Sequence, residues 1–182
     1  KMTRLAELEA QSKLTEEEFS NIKSHTVTGA ELLLKYVDTL GVLPVVVCLE
    51  HHLKYDLSGY PKLPFDHKPQ TASLIVAICD VYDALLARRT YKASYAPLVI
   101  YDIMMGDKGN SYEPQLLDRF FRYMGVWPIG TLVALNDSRV AVVREENEDE
   151  IFLPNVQAVY PEKSELIDLR QTRNKIWIAQ FL

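Results

Sequence analysis

At Trp127-Pro128 the hydrophobic rhythm of the chain changes period, and that change limits the folds open to it. Before it, apolar residues return every three or four positions, the spacing of one face of an α-helix. Phe19, Ile22, Val27, Ala30, Leu33 and Leu34 keep this spacing, and so do Leu74, Ile75, Ile78, Val81, Tyr82 and Leu85. After it come short β-prone runs at 131–135, 140–144, 151–160, 166–169 and 175–182, separated by turn residues. The expected fold is therefore mainly α: a helical domain over 1–126, followed by a small antiparallel β module over 127–182.

Local signals place the elements. Thr15-Glu16-Glu17-Glu18 has the form of a capping box, with Leu14 and Phe19 as a hydrophobic staple, so a helix is predicted from Thr15 and a break in it between Thr26 and Gly29. Residues 43–52 read as a second helix, with Pro44 in its first turn and an apolar surface nearly all round, which predicts burial. Gly59, Pro61, Pro64 and Pro69 then make 55–70 a loop of unusual length, and loops that long are often functional. Further helices are predicted at 72–86, 96–105 and 114–123, the last started by Pro114 and stopped by Gly125. Asn136-Asp137-Ser138 reads as a hairpin turn, and the acidic run from Glu145 to Glu150 as a solvated hairpin tip.

A composition of 48% hydrophobic and 25% charged residues suits a folded chain. The net charge of -5 opposes indiscriminate attraction to DNA or anionic lipid, so an anionic ligand needs a local basic patch or a metal. Cys48 and Cys79 lie in apolar runs with no C-x-x-C pattern, which predicts buried free thiols and a cytoplasmic, reducing compartment. No membrane segment is predicted, because even the run 40–49 is interrupted by Gly41 and Pro44.

The segment with the most chemistry is His51-His52-Leu53-Lys54-Tyr55-Asp56-Leu57-Ser58-Gly59-Tyr60-Pro61. Adjacent positions on a helix point about 100° apart, so two neighbouring imidazoles suit different ions of a cluster better than one ion, unless the helix end is distorted. They equally suit a helix C-terminus, where imidazole complements the negative end of the dipole. His25 lies near the expected break, and Asp80 interrupts an apolar stripe, where a buried carboxylate needs a cation or donors. Imidazole and carboxylate without thiolate favour iron or manganese, with zinc also possible. On spacing alone a shared metal site and a set of ordinary helix-end histidines both stand. His67 reads as a solvated loop residue.

The chain resembles the HD-GYP domains. His51-His52, Asp56 and Gly59-Tyr60-Pro61 look like the family's H-H-x-x-x-D-x-x-G-Y-P signature. Leu14-Thr15-Glu16-Glu17-Glu18-Phe19 with Ile22-Lys23-Ser24-His25 and Gly29 is similar to its L-T-x-E-E-[WF]-x-x-[IM]-K-x-H-x-x-x-G stretch. Asp80-Val81-Tyr82-Asp83-Ala84-Leu85 is similar to its D-x-Y-D-A-L helix, Arg89-Thr90-Tyr91-Lys92 to its R-P-Y-[KR] turn, and Tyr112-Glu113-Pro114 falls where F-D-P usually occurs. The resemblance covers residues 1–125 and implies a helical bundle of the HD superfamily.

The resemblance further implies a cyclic di-GMP phosphodiesterase with His25, His51, His52 and Asp80 as metal ligands and catalytic residues around two or three divalent transition ions. It implies Arg89 and Lys92 as contacts to a substrate phosphate and Tyr60 as lining of the substrate mouth. An upstream sensory or receiver domain and a homodimer are expected on the same ground. Three positions depart from the pattern: Leu53 stands where a glutamate commonly follows the pair, Leu57 where a glycine follows the acid, and Thr90 where the turn has proline. No adjacent His-Asp occurs in the sequence. In the family that dyad lies shortly before the region with which this chain opens, so it is expected upstream of Lys1, with the chain alone inactive and its metals absent or incomplete. The alternative is a catalytically inactive module that binds cyclic di-GMP or a partner protein in signalling.

Overall fold

Prolines and glycines mark several of the helix boundaries. Pro44 occupies the first turn of the helix Leu43–Glu50, Pro97 opens Pro97–Gly106, and Pro114 opens Pro114–Met124, which is followed by Gly125 at φ 67°. A proline in the first turn loses no helical hydrogen bond, and a glycine beyond the last turn takes the left-handed conformation without a Cβ penalty. The structure, a computed structural model, describes residues 15–65, 67–86, 95–173 and 175–182. Among them the helical segments are α1 (Glu16–Lys23), α2 (His25–Leu34), the single turn α3 (Val37–Leu40), α4 (Leu43–Glu50), α5 (Thr71–Leu86), α6 (Pro97–Gly106) and α7 (Pro114–Met124). The strands are β1 (Leu132–Leu135), β2 (Val140–Glu145), β3 (Asn155–Tyr160), β4 (Leu166–Asp168) and β5 (Ile178–Phe181). The fold is mainly α with a small antiparallel sheet behind it, as the change of period predicts.

The chain divides into two compact units, Lys1–Leu85 with Ile103–Leu117, and Leu86–Asp102 with Asp118–Leu182. In the first, α2 packs against α4, and the approach is close because Gly29 has no side chain: a Cβ there would lie 2.6 Å from Cys48 Sγ. Helix α5 turns Leu74, Ile78 and Tyr82 inward at four-residue steps, with Ser73 beside the first of them.

Several expectations are corrected in this unit. The break falls at Ser24, ahead of the predicted 26–29, because Ser24 caps back onto the preceding turn through Oγ to the Asn21 carbonyl at 2.7 Å. Helix α4 stops at Glu50, two residues short of the predicted end, and only Val45 and Glu50 in it are fully buried. Its remaining apolar surface, Leu43 included, is partly or largely exposed. Cys79, expected inside, is exposed, since it follows the core-facing Ile78 by about 100° of helical rotation. The capping box and staple at Thr15 rest on side chains outside those described, although α1 does begin at the next residue, Glu16.

In the second unit the sheet order is β4-β3-β2-β1-β5, and every pairing is antiparallel. The β1–β2 hairpin turns at the predicted Asn136-Asp137-Ser138, closed by the Leu135 N–H to the Arg139 carbonyl at 2.8 Å and by Asp137 accepting from the Arg139 side chain. Alternate residues Val133, Leu135, Ala141, Val143 and Val156 point into one core with Val126, Trp127 and Leu169. Tyr101 adds edge-on ring contacts to Phe121 at 4.8 Å and Phe152 at 5.1 Å between centroids. The acidic run is solvated only in part. Glu148 and Asp149 are exposed, but Asn147 is buried and its amide donates to the Leu153 carbonyl, while Glu150 pairs with Arg173 at 2.5 Å.

The alternation gives a direct test. Leu169 is fully buried and Leu166, on the neighbouring stretch, is largely exposed. Leu169→Ala is expected to destabilise by about 2–5 kcal/mol in chemical denaturation, and Leu166→Ala by less than about 1 kcal/mol.

Candidate functional site

Two helix ends build the site. Helix α1 ends at Lys23, Ser24 makes the turn, and His25 opens α2 with its Nδ1–H donating to the Ile22 carbonyl at 2.6 Å. Helix α4 ends at Glu50, and His51 follows as its C-cap with Nδ1–H donating to the Cys48 carbonyl at 2.8 Å. In both rings the backbone bond assigns the proton to Nδ1, which leaves the lone pair on Nε2. The packing of α2 on α4 then brings these two Nε2 atoms face to face at 3.1 Å. Two lone pairs at that distance repel unless a cation, a proton or a metal ion, lies between them.

His52 joins the pair. Its ring centroid is 4.2 Å from that of His51 and 5.1 Å from that of His25. One nitrogen from each of the three imidazoles lies within 4.8 Å of the others, a set that could hold a metal ion. Adjacent histidines were expected to diverge by the helical rotation. They converge at the end of α4, where His51 is the C-cap residue with its N–H still bonded to the Val47 carbonyl and the two ring centroids lie 4.2 Å apart.

Asp80 lies at the edge of this cluster, with Oδ2 3.9 Å from His52 Nε2. It was expected to be a buried carboxylate, and it is not: its side chain is 48% exposed, because α5 turns Ile78 and Tyr82 inward and Asp80 falls on the opposite side. Water therefore solvates much of its charge. His52 is held well below the ordinary imidazole range, at about 4, first by burial and then by the neighbouring His51 and His25, which together outweigh the attraction of Asp80. At neutral pH its ring is uncharged and no proton has to leave before it can act as a ligand.

The Gly-Tyr-Pro turn covers one side. The Gly59 N–H bonds to the Leu53 carbonyl and the Tyr60 N–H to the His52 carbonyl, each at 2.9 Å, so the turn folds directly back on the histidine pair. Only glycine fits there, since a Cβ on Gly59 would lie 1.9 Å from the His52 carbonyl oxygen. The turn places the Tyr60 ring 4.7 Å from that of His52, with Lys23 Nζ 5.8 Å from the Tyr60 centroid. The outer loop is held by Tyr55 and Asp56 donating their N–H groups to the carbonyls of Ser111 and Asn110. Leu57, where the family signature has glycine, adopts φ 63°, a left-handed conformation that costs a residue with a Cβ about 1–2 kcal/mol. Arg89 and Lys92, the expected phosphate contacts, lie outside the described residues.

Sequence reasoning missed Glu50 and misread His67. Glu50 is buried, and its carboxylate takes His67 Nε2 at 2.5 Å, the Gln70 N–H at 2.8 Å and the Ser73 hydroxyl at 2.7 Å. His67 is thus an anchored residue and not a solvated one. The available signal was an acid at the end of an otherwise apolar run, which carries the argument for needed partners better than Asp80 does.

Comparison with known proteins follows the same residues. The profile of the HD domain matches residues 3–116. The chain is 33% identical over 157 residues to a cyclic di-GMP phosphodiesterase of Pseudomonas aeruginosa, covering 85% of this chain and 37% of that protein. It is 33% identical over 110 residues to a cyclic di-GMP phosphodiesterase response regulator of Xanthomonas campestris pv. campestris, covering 60% of this chain and 29% of that one. It is 36% identical over 107 residues to a 3'3'-cGAMP-specific phosphodiesterase of Vibrio cholerae, covering 58% and 20%. The chain therefore spans well under half the length of each of these relatives.

Two outcomes are expected. Leu57→Gly relieves the left-handed strain and leaves thermal stability unchanged or raised, while the β-branched Leu57→Val lowers it by about 1 kcal/mol or more. In the metal-free chain, His52 has a folded-state pKa of about 4 against 6.5 when unfolded, so as the pH falls the unfolded chain takes up its proton first. Its stability contribution is present above pH 6.5 and is lost progressively as the pH falls to about 4. Melting temperatures across that window should show a steeper fall for the wild type than for His52→Gln.

Proposed function

The chain belongs to the HD domain family and is a domain of the HD-GYP type, and on that premise we propose that it is part of a metal-dependent phosphodiesterase that hydrolyses cyclic di-GMP. What carries the reading is the meeting of His25 and His51, separated by 26 residues in sequence, with the lone pairs of both Nε2 atoms facing each other. The donor set fits a metal: two imidazoles whose proton is held on Nδ1 by a backbone carbonyl, a third kept neutral first by burial, and a carboxylate beside them. In this reading His25, His51, His52 and Asp80 are the metal ligands. A cluster of two or three ions follows from the resemblance, and the absence of a thiolate among the donors favours iron or manganese, with zinc also compatible.

A metal held there supplies Lewis acidity toward water and the phosphate and offsets the charge that builds on the phosphoryl oxygens. The chain's own residues do the rest. His25 and His51 keep their Nε2 atoms facing each other through the backbone bonds of their Nδ1 atoms, so neither ring has to turn on loading. His52 remains neutral at working pH. Tyr60, beside His52, lines the mouth where a nucleotide enters, and Arg89 and Lys92 are assigned to its phosphates, which supplies the local positive charge that a chain of net charge -5 otherwise lacks.

The same proposal treats 1–126 as the catalytic helical domain and 127–182 as a β extension, in the cytoplasm, acting under a sensory or receiver domain and as a homodimer. The response-regulator name of the Xanthomonas relative supports the receiver. A catalytically inactive module that binds cyclic di-GMP or a partner protein in signalling is the second reading.

Metal analysis by plasma mass spectrometry, paired with chromatographic turnover assays on cyclic di-GMP and 3'3'-cGAMP and made on the intact protein of which this chain is proposed to be part, separates these. The phosphodiesterase is expected to carry about two or more transition ions per chain and to lose turnover on chelation. His51→Ala and His52→Ala should each lower turnover by at least about 100-fold, more than the loss of a residue that only supports a ligand. Nucleotide binding without metal or turnover establishes the inactive module, and hydrolysis confined to 3'3'-cGAMP overturns the substrate assignment.

A further inference from the structure

Glu50 is 3% exposed, yet both of its carboxylate oxygens are fully engaged. It is the last residue of α4, directly before His51 and His52. Its partners lie at the other end of the long loop: His67 and Gln70 close that loop, and Ser73 is in the first turn of α5, the helix that carries Asp80. One side chain therefore joins the two ends of 51–70. Gln70 accepts the first helical bond of α5, from the Leu74 N–H, so the Glu50 carboxylate lies where the free N–H groups and positive end of that helix favour an anion.

We propose that Glu50 is a positioning residue for the metal site, which fixes the His51-His52 pair against Asp80 by clamping the end of α4 to the start of α5; this rests on the metal-site reading given above. His52 and Asp80 come from opposite sides of a loop with prolines at 61, 64 and 69, and they must stand within coordination reach of common ions. A loop of that length does little by itself to fix the distance between its ends, because a long connection without secondary structure is compatible with many end separations. The Gly59 and Tyr60 backbone bonds tie the first half of the loop to the pair but do not reach α5. The bonds of Glu50 do. Stability alone gives little reason for a carboxylate here, since well-packed apolar side chains in the interior are often as stable as a buried charged pair. What an apolar pair lacks is direction, and Glu50 has three directed bonds from three separate residues.

The test is cobalt(II) titration of the chelator-stripped chain, followed by the d–d absorption bands that report ligand geometry, with circular dichroism and Tm measured alongside. Glu50→Ala is expected to lower cobalt affinity about 10- to 100-fold and to change the band pattern. Glu50→Gln, whose amide oxygen still accepts from Gln70 and Ser73 while its N–H reverses the bond to His67 and donates to Nε2 of the Nδ1-protonated ring, is expected to restore most of both. A Glu50→Ala chain with lower Tm but wild-type affinity and bands means a purely structural role and overturns the proposal. If Glu50→Ala does not fold, Ser73→Ala and His67→Gln carry the same test: a several-fold loss of affinity in each supports it, and wild-type affinity and bands in both overturn it. His51→Ala separates the two levels. Wild-type cobalt binding in that variant removes the metal-site reading itself, and this inference with it, whereas loss there with unchanged binding in Glu50→Ala removes only the role of Glu50.

Discussion

The structure of the first unit depends on two imidazole nitrogens that face each other without a proton of their own to share. Each of these rings spends its N–H on a backbone carbonyl three residues back, His25 on Ile22 in the last turn of α1 and His51 on Cys48 in α4. That choice fixes the tautomer, aims both Nε2 lone pairs outward from the helix ends, and leaves 3.1 Å between them. Such an arrangement holds only if something positive occupies the gap or if the packing of α2 on α4 leaves the rings no retreat. Gly29 permits that packing, since any larger residue there would meet Cys48.

Around this pair the loop is organised by backbone and not by an apolar core. Leu53 is the one loop residue in the signature that is deeply buried, and it serves as a pin. The G-Y-P turn returns to the His52 and Leu53 carbonyls, and a second strut comes from Asn110 and Ser111. The signature spacing is thus a statement about where the main chain must double back. Leu57 shows the cost of departing from it, since the left-handed conformation is kept while the residue that takes it freely is gone. The sheet of the second unit is governed by different physics, with one face packed by alternating Val, Ala and Leu and with its own aromatic contacts.

Element types were legible in the sequence because they follow from local rules. The change of hydrophobic period at Trp127-Pro128, Pro44 and Pro114 in first turns, Gly125 after the last helix, and the turn at 136–138 each act within a few residues, and the structure has helices, strands and a hairpin at those places. The identity of the histidines was legible for a similar reason, since imidazoles beside a Gly-Tyr-Pro turn are rare enough in combination to read as one motif.

Depth and direction were not legible, because they depend on what else packs nearby. Asp80 and Cys79 lie in an apolar stretch and still face outward, while Glu50 lies at the end of one and faces inward. Helical periodicity gives the angle between residues but not which angle meets the core. The sequence by itself determined which residue types lie along the chain and which local geometry each prefers. Only the tertiary structure decided that His25 meets the His51-His52 pair and that Glu50 reaches His67, Gln70 and Ser73 across the loop, because both outcomes are set by contacts between segments about twenty residues or more apart.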